Sequence, residues 1–237
     1  VITHPDLNGR VFDNNWFSDI DNHATHVAGI LAGNGTLNSN YVGVAPKSKV
    51  YSYQQDCLPL GCNYDLYQNF VEGIMNYNTL ILTNSWVNDE CSGMSEYNPM
   101  TELIDQIIYG NYTLKSANVI WAVGNNNSCN ASTGYFTIAP QASAKNIISV
   151  GNVYDNKYIR ESSGFGPTDD GRIKPDLVAT GTYIYSTFGN DTYDVMSGTS
   201  MAAPHVSGTI ALMLEQWDRQ YSQDPLPSTI KAMLLDS

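Results

Sequence analysis

The chain has 237 residues, 42% of them hydrophobic and only 14% charged, with a formal net charge of −12. That is enough apolar side chain to bury one large core, so a single domain over residues 1–237 is expected and a charge-rich disordered segment is excluded. The acidic balance repels phosphate and anionic lipid, which argues against nucleic-acid binding, and no apolar run reaches the roughly 18 residues that span a bilayer.

The apolar pattern alternates between short strands and helices. Residues 50–53 read as a strand, and 65–77 as a helix with Leu66, Phe70, Val71 and Ile74 at helical spacing. A buried strand follows at 80–85. A helix over 99–109 carries Leu103, Ile104, Ile107 and Ile108. Two more apolar strands fall at 119–123 and 147–153, then a long apolar helix at 201–217. A last helix over 228–235 has Pro227 at its start. This alternation predicts an α/β fold: a mainly parallel twisted sheet with helices on both faces, and functional groups gathered at the carboxyl ends of the strands.

Four cysteines, Cys57, Cys62, Cys91 and Cys129, contain no C-x-x-C pair, which disfavours zinc or thioredoxin chemistry. Two disulfides are expected. Cys57 and Cys62 bracket a short loop. Cys91 and Cys129 each follow a strand, and parallel strands would bring both to one end of the sheet. Asn-x-Ser/Thr sequons begin at Asn34, Asn111, Asn126, Asn130 and Asn190. Together with the even cysteine count they point to an exported, oxidising environment, extracellular or within the secretory pathway.

Three segments carry chemistry. The string Gly198-Thr199-Ser200-Met201-Ala202-Ala203-Pro204-His205-Val206-Ser207-Gly208 leads a serine into a helix. A serine there is either an N-cap or a nucleophile placed where free backbone N–H groups favour developing negative charge. Pro204 reads as a first-turn residue. The string His23-Ala24-Thr25-His26-Val27-Ala28-Gly29 opens a second helix. It lacks the glutamate and the four-residue spacing of His-Glu-x-x-His, so a zinc peptidase is disfavoured. His23 is then a general base and His26 a packing or hydrogen-bonding residue. In Val119-Ile120-Trp121-Ala122-Val123-Gly124-Asn125 a strand ends in an amide side chain, either a turn residue or an oxyanion donor.

Together these strings resemble the subtilisin-like serine peptidases (the subtilase family), and the segments His4-Pro5-Asp6-Leu7, Val42-Gly43-Val44-Ala45-Pro46 and Lys174-Pro175-Asp176-Leu177 extend the resemblance over nearly the whole chain. The resemblance implies a secreted serine endopeptidase acting on polypeptides. Ser200 would be the nucleophile, His23 the base, and Asn125 with the Ser200 N–H the oxyanion site. Ser85, Trp86, Val87 and Gly124 would border the substrate, with Val87 standing where the family has glycine and Trp86 equally readable as core packing. No cofactor is required; a structural calcium at Asp6 is implied, although the loop 33–41 does not match the family's calcium loop.

The triad aspartate has no counterpart. In the family it precedes the histidine in an Asp-Ser/Thr-Gly string just before the His-Pro-Asp-Leu segment. Asp6 belongs to another motif, Asp13 is not assigned, and Asp19 and Asp21 adjoin His23 in sequence. The aspartate is therefore expected a few residues upstream of Val1, the domain is expected to be partial, and this piece alone is expected to be nearly inactive. The other reading is a catalytically inactive subtilase-like domain used as a structural or binding module.

Overall fold

The strand Asn118–Ala122 (β4) is buried along its whole length, and its alternation builds two cores. In a computed structural model, which describes residues 3–13, 21–53, 62–87, 91–113, 115–125, 127–130 and 132–236, Val119 and Trp121 face one side and Ile120 and Ala122 the other. β4 is flanked by Ile81–Asn84 (β3) and Ile148–Val153 (β5), and Leu177–Thr180 (β6) closes this four-stranded parallel sheet in the order β3-β4-β5-β6.

The Trp121 face is covered by Cys62–Tyr77 (α2) and Pro99–Tyr109 (α3), through Leu66, Phe70, Ile104 and Ile107. Asn98 caps α3 in a reciprocal box with Thr101. The opposite face is covered by Thr199–Asp218 (α4) and Pro227–Leu235 (α5), through Ala203, Val206, Ile210 and Ile230. The expected parallel sheet with helices on both faces is what the chain forms.

Four further strands stand apart from this sheet. Val11–Asp13 (β1) pairs in parallel with Val50–Ser52 (β2), and Ile184–Phe188 (β7) forms an antiparallel hairpin with Thr192–Met196 (β8). The hairpin packs on Asn22–Ala32 (α1), where the hydroxyls of Ser186 and Thr187 donate to the carbonyls of His26 and Thr25 at 2.9 and 2.7 Å. Gly29 makes this approach possible, since a Cβ there would stand 2.1 Å from Thr187 Oγ1. The sequence reading missed β1, β6 and the hairpin, and α2 starts at Cys62 rather than residue 65.

The small β1-β2 sheet and the large sheet are separate among the described residues. Between the edges of β2 and β3 lies a cavity of about 840 Å³, bordered by Tyr51, Leu82, Val27 and Leu214 and reached by His23. Helix α2 lies over both margins: a Cβ on Gly73 would stand 3.8 Å from Leu82 and 4.0 Å from Tyr53.

Candidate active site

Helix α4 opens on Gly198, which makes no side-chain cap, so Ser200 sits at the second helical position rather than at the cap. The N-cap alternative for Ser200 is thereby set aside, and its N–H is one of the free donors of a helix start. Pro204 lies in the second turn, not the first. Having no N–H, it leaves the Ser200 carbonyl without its helical partner. Ser85 fills that role: its hydroxyl donates to Ser200 O at 2.9 Å. The Ser200 hydroxyl in turn donates to the Ser85 carbonyl at 2.9 Å. Ser85 therefore fixes Ser200 as well as lying beside it.

Asn125, just beyond β4, reaches the same helix start. Its Oδ1 accepts from Thr199 N–H at 2.9 Å and from the Thr199 hydroxyl at 3.3 Å. With the oxygen so held, the amide nitrogen Nδ2 remains as donor. Gly198 leaves it room, since a Cβ at 198 would stand 3.3 Å from Nδ2. Thr199 was not singled out from the sequence. Its neighbour Ser200 was the available signal, because the residue before a nucleophile at a helix start carries a free N–H.

His23 is half-buried at the second position of α1, behind the cap Asp21, whose Oδ1 accepts from His23 N–H at 2.7 Å and Ala24 N–H at 3.1 Å. Burial pulls the His23 imidazole below its ordinary pKa of 6.5, and the Asp21 charge offsets this only in part. The neutral, proton-accepting form is therefore favoured at neutral pH. Asp21 accepts both backbone N–H groups on Oδ1, no hydrogen bond joins its carboxylate to the His23 ring, and Asp19 lies outside the described residues. Ser200 and Ser85 are joined by two hydrogen bonds, and Asn125 holds the neighbouring Thr199. His23 stands on α1, which packs on α4, and the Ser200 hydroxyl donates to Ser85 rather than to His23. His26 is fully buried, with Nε2 at 3.1 Å from the carbonyls of Ile184 and Asp194. It holds the hairpin, as its packing role requires.

The segment after β3 forms one wall beside the nucleophile. Trp86 packs edge-to-face on Trp121, with centroids 4.9 Å apart, and accepts the Trp121 indole N–H on its carbonyl at 2.8 Å. Its indole thus serves the core while also bordering the cavity. Gly124 has φ +94°, a conformation that suits glycine. A Cβ there would stand 3.3 Å from Ala139 and 3.8 Å from Val87 Cγ2, so Val87 leans over the strand end next to Asn125. Cys91 and Cys129 form the expected disulfide, with Cα atoms 5.2 Å apart, and tie the loops that follow β3 and β4. The expected Cys57–Cys62 pair falls outside the described residues.

Asp6 is fully buried in the 3-10 turn Pro5–Leu7. Its Oδ1 accepts from Leu37 N–H at 2.9 Å and its Oδ2 from the Tyr193 hydroxyl at 2.6 Å. Both oxygens face hydrogen-bond donors, and calcium needs converging oxygen ligands. This arrangement does not fit the calcium role implied for Asp6. Among the described residues no group of three or more His, Cys, Asp or Glu side chains is disposed to hold a metal ion.

The sequence pattern of the Subtilase family matches residues 2–237. The chain belongs to the subtilase family. This subtilase is 31% identical to a thermophilic serine proteinase of Bacillus sp. (strain AK1) over 222 residues, which are 90% of the chain and 49% of that protein. It is 29% identical to subtilisin NAT of Bacillus subtilis subsp. natto, over 96% of the chain and 57% of that protein. It is 28% identical to the major intracellular serine protease of Bacillus subtilis (strain 168), over 98% and 71%. The chain thus spans about half the length of the first two relatives. Among solved structures, its fold is similar to the prenylagaramide maturation protease PagA, with TM-score 0.78 and 24% identity over 100% of this chain and 80% of that one. Sphericase is similar with TM-score 0.74 and 25% identity, over 99% and 78%.

Proposed function

We propose that this subtilase is the core of a serine endopeptidase. The observation that carries the reading is the Asn125 amide, pinned through its oxygen on Thr199 and leaving its nitrogen as a donor beside Ser200. In the reaction the Ser200 hydroxyl turns from Ser85 to His23, which takes its proton as Oγ attacks the scissile carbonyl. The carbonyl oxygen becomes an oxyanion that receives hydrogen bonds from Asn125 Nδ2 and the Ser200 N–H. His23 then returns the proton to the leaving amine, and water releases the acyl group by the same steps in reverse. No cofactor enters the chemistry.

The substrate is a polypeptide, bound in extended form along Ser85, Trp86 and Val87 with Gly124 opposite. The third triad member is an aspartate on a segment outside these 237 residues. The cavity between β2 and β3 supports this: it is flanked by two strand edges that are unpaired among the described residues, covered by α2, and reached by His23. An extended segment there would pair with both edges and carry its carboxylate to the imidazole. The Cys91–Cys129 bridge supports an exported protein. Glycans are proposed at the exposed Asn34, Asn111 and Asn190, and not at Asn130, whose amide nitrogen already donates to Tyr135 O at 3.0 Å. Among the described residues no helix is long and apolar enough to cross a membrane.

A fluorophosphonate probe tests the activity. Folded full-length protein, freed of any pro-segment, should be labelled at Ser200, and Ser200→Ala should abolish and His23→Ala slow the labelling. Absence of labelling in that protein would establish the inactive module instead.

A further inference from the structure

Three segments meet at Asp6. The 3-10 turn Pro5–Leu7 supplies the residue, the loop 34–41 covers it, and β8 brings Tyr193. The loop reaches the carboxylate through the Leu37 N–H, and β8 reaches it through a hydroxyl. The backbone carbonyl of Asp6 accepts from Asn34 N–H at 3.1 Å and from the Arg10 guanidinium, whose other end donates to Ala32 O at 2.7 Å. His4 accepts from Asp6 N–H on Nδ1, so its Nε2 carries the proton and donates to Thr192 O at 2.9 Å. Above this, the Tyr193 ring lies between His4 and Tyr41, at 5.4 and 4.7 Å, and Tyr41 stacks on Tyr185 at 4.8 Å.

A divalent cation beside Asp6 would need six to eight oxygens turned toward one point. Here the polarity is the opposite. The groups aimed at the carboxylate are N–H and O–H donors, whose hydrogens would repel a cation. Two amide oxygens of the loop are also committed to their own turns: Asn34 Oδ1 accepts from Thr36 N–H at 3.0 Å, and Asn38 Oδ1 from Asn40 N–H at 3.0 Å. The nearby positive charge comes from Arg10, which is part of the chain.

We propose that Asp6, Tyr193 and the Leu37 N–H form a cation-free clamp that takes the place of a bound calcium in this subtilase. The clamp joins the hairpin to the carboxyl end of α1, through Asp6 and Arg10, and so fixes the helix that carries His23. It is a property of the fold and stands apart from the peptidase reading.

The test uses full-length protein carrying Ser200→Ala, which cannot digest itself. Thermal unfolding in excess calcium chloride and in excess EDTA should give the same Tm. Adding Tyr193→Phe keeps the ring but removes one hydrogen bond to a buried carboxylate, and should lower Tm by roughly 3–10 °C equally in both solutions. A Tyr193→Phe protein with unchanged Tm overturns the proposal. If calcium raises the parent's Tm, a crystal structure with calcium decides. A cation on the Asp6 oxygens overturns the clamp, and a cation elsewhere upholds it.

Discussion

Replacing Asn125 separates two tasks that one side chain performs. Its Oδ1 caps α4 from outside, at 2.9 Å from Thr199 N–H, and in the proposed mechanism its Nδ2 serves the oxyanion. Asn125→Ala removes both. The lost cap costs about 1 kcal/mol, and each kcal/mol shifts Tm by about 2–4 °C in a chain of this size. The lost donor costs roughly 2.7–4 kcal/mol of transition-state stabilisation, or about 100- to 1,000-fold in kcat. That range comes from a subtilisin, so it is a family value carried over to Asn125. Asn125→Asp has nearly the same shape. It keeps an acceptor for Thr199 and adds a negative charge that the start of α4 favours by about 0.3–1 kcal/mol. It has no donor, however, and repels the oxyanion. Stability should therefore rise from alanine to asparagine and be kept or raised in aspartate, while kcat falls in both variants and at least as far in aspartate. KM should change little, because the oxyanion forms only in the transition state. Steady-state hydrolysis of a chromogenic peptide by the full-length enzyme measures the kinetics, and thermal unfolding in the Ser200→Ala background measures stability. An aspartate variant with kcat near the parent's, or an alanine variant altered only in KM, refutes the assignment.

Asp176 is held between Lys174 and Lys231, with Nζ distances of 2.7 and 2.8 Å. Burial pushes its carboxyl up, but the two ammonium groups more than reverse this and leave it below 3.8, while burial brings Lys174 down to about 8. Asp176→Asn strands the buried Lys174 and should cost about 3–5 kcal/mol at neutral pH. A carboxylate with a depressed folded pKa contributes stability above its unfolded value and loses it as pH falls through the folded one. The parent–variant gap in denaturant titrations should thus close below pH 3.8, and a gap that persists there contradicts the pairing. The Cys91–Cys129 bridge closes a separation of 38 residues. Replacing both cysteines by serine should cost up to about 4 kcal/mol on the chain-entropy account, and an unchanged denaturation midpoint speaks against it. Val87→Gly should raise kcat/KM for peptides with a large residue before the scissile bond relative to small ones, because Val87 leans toward Gly124. Equal kcat/KM ratios in parent and variant would remove Val87 from specificity.

The elements legible in the sequence were those whose burial is complete or whose strings are distinctive. β4 is buried on both faces and reads as an unbroken apolar run, and α4 follows directly from the Ser200 string. The β7–β8 hairpin was not legible. Tyr185 and Val195 are exposed, and the buried positions include Ser186 and Thr187, which bond to α1 carbonyls rather than fill a core. β6 follows the polar Lys174-Pro175-Asp176 run, whose charges are buried through mutual pairing that no periodicity reveals. In the candidate site, Ser200, His23 and Asn125 could be singled out from their strings, but their attachments could not. The Asn125–Thr199 bond joins residues 74 apart, and the Tyr193–Asp6 bond joins residues 187 apart. The Tyr193 hydroxyl on Asp6 was therefore not readable from the His4-Pro5-Asp6-Leu7 string alone.

The site divides into two halves that depend on different parts of the fold. Ser200, Asn125 and Ser85 stand on α4 and the ends of β4 and β3; bonds of 2.9 Å tie Ser85 to Ser200 and Asn125 to Thr199, the residue before Ser200. This oxyanion half rests entirely on the large sheet and its covering helix. His23 stands on α1, which is held by the hairpin and by the Asp6 junction, with the cavity between the two sheets beside it. A Ser200 hydroxyl that rests on the Ser85 carbonyl follows from this division, since that acceptor belongs to its own half. Turning toward His23 gives up one neutral hydrogen bond, worth about 0.5–1.5 kcal/mol, which is small beside the roughly 8–23 kcal/mol that enzymes remove from a barrier. The larger requirement is a fixed imidazole. In the proposed enzyme a strand between β2 and β3 would join the two sheets and place its carboxylate on His23 in a single step, so completion of the sheet and completion of the triad would be the same structural event.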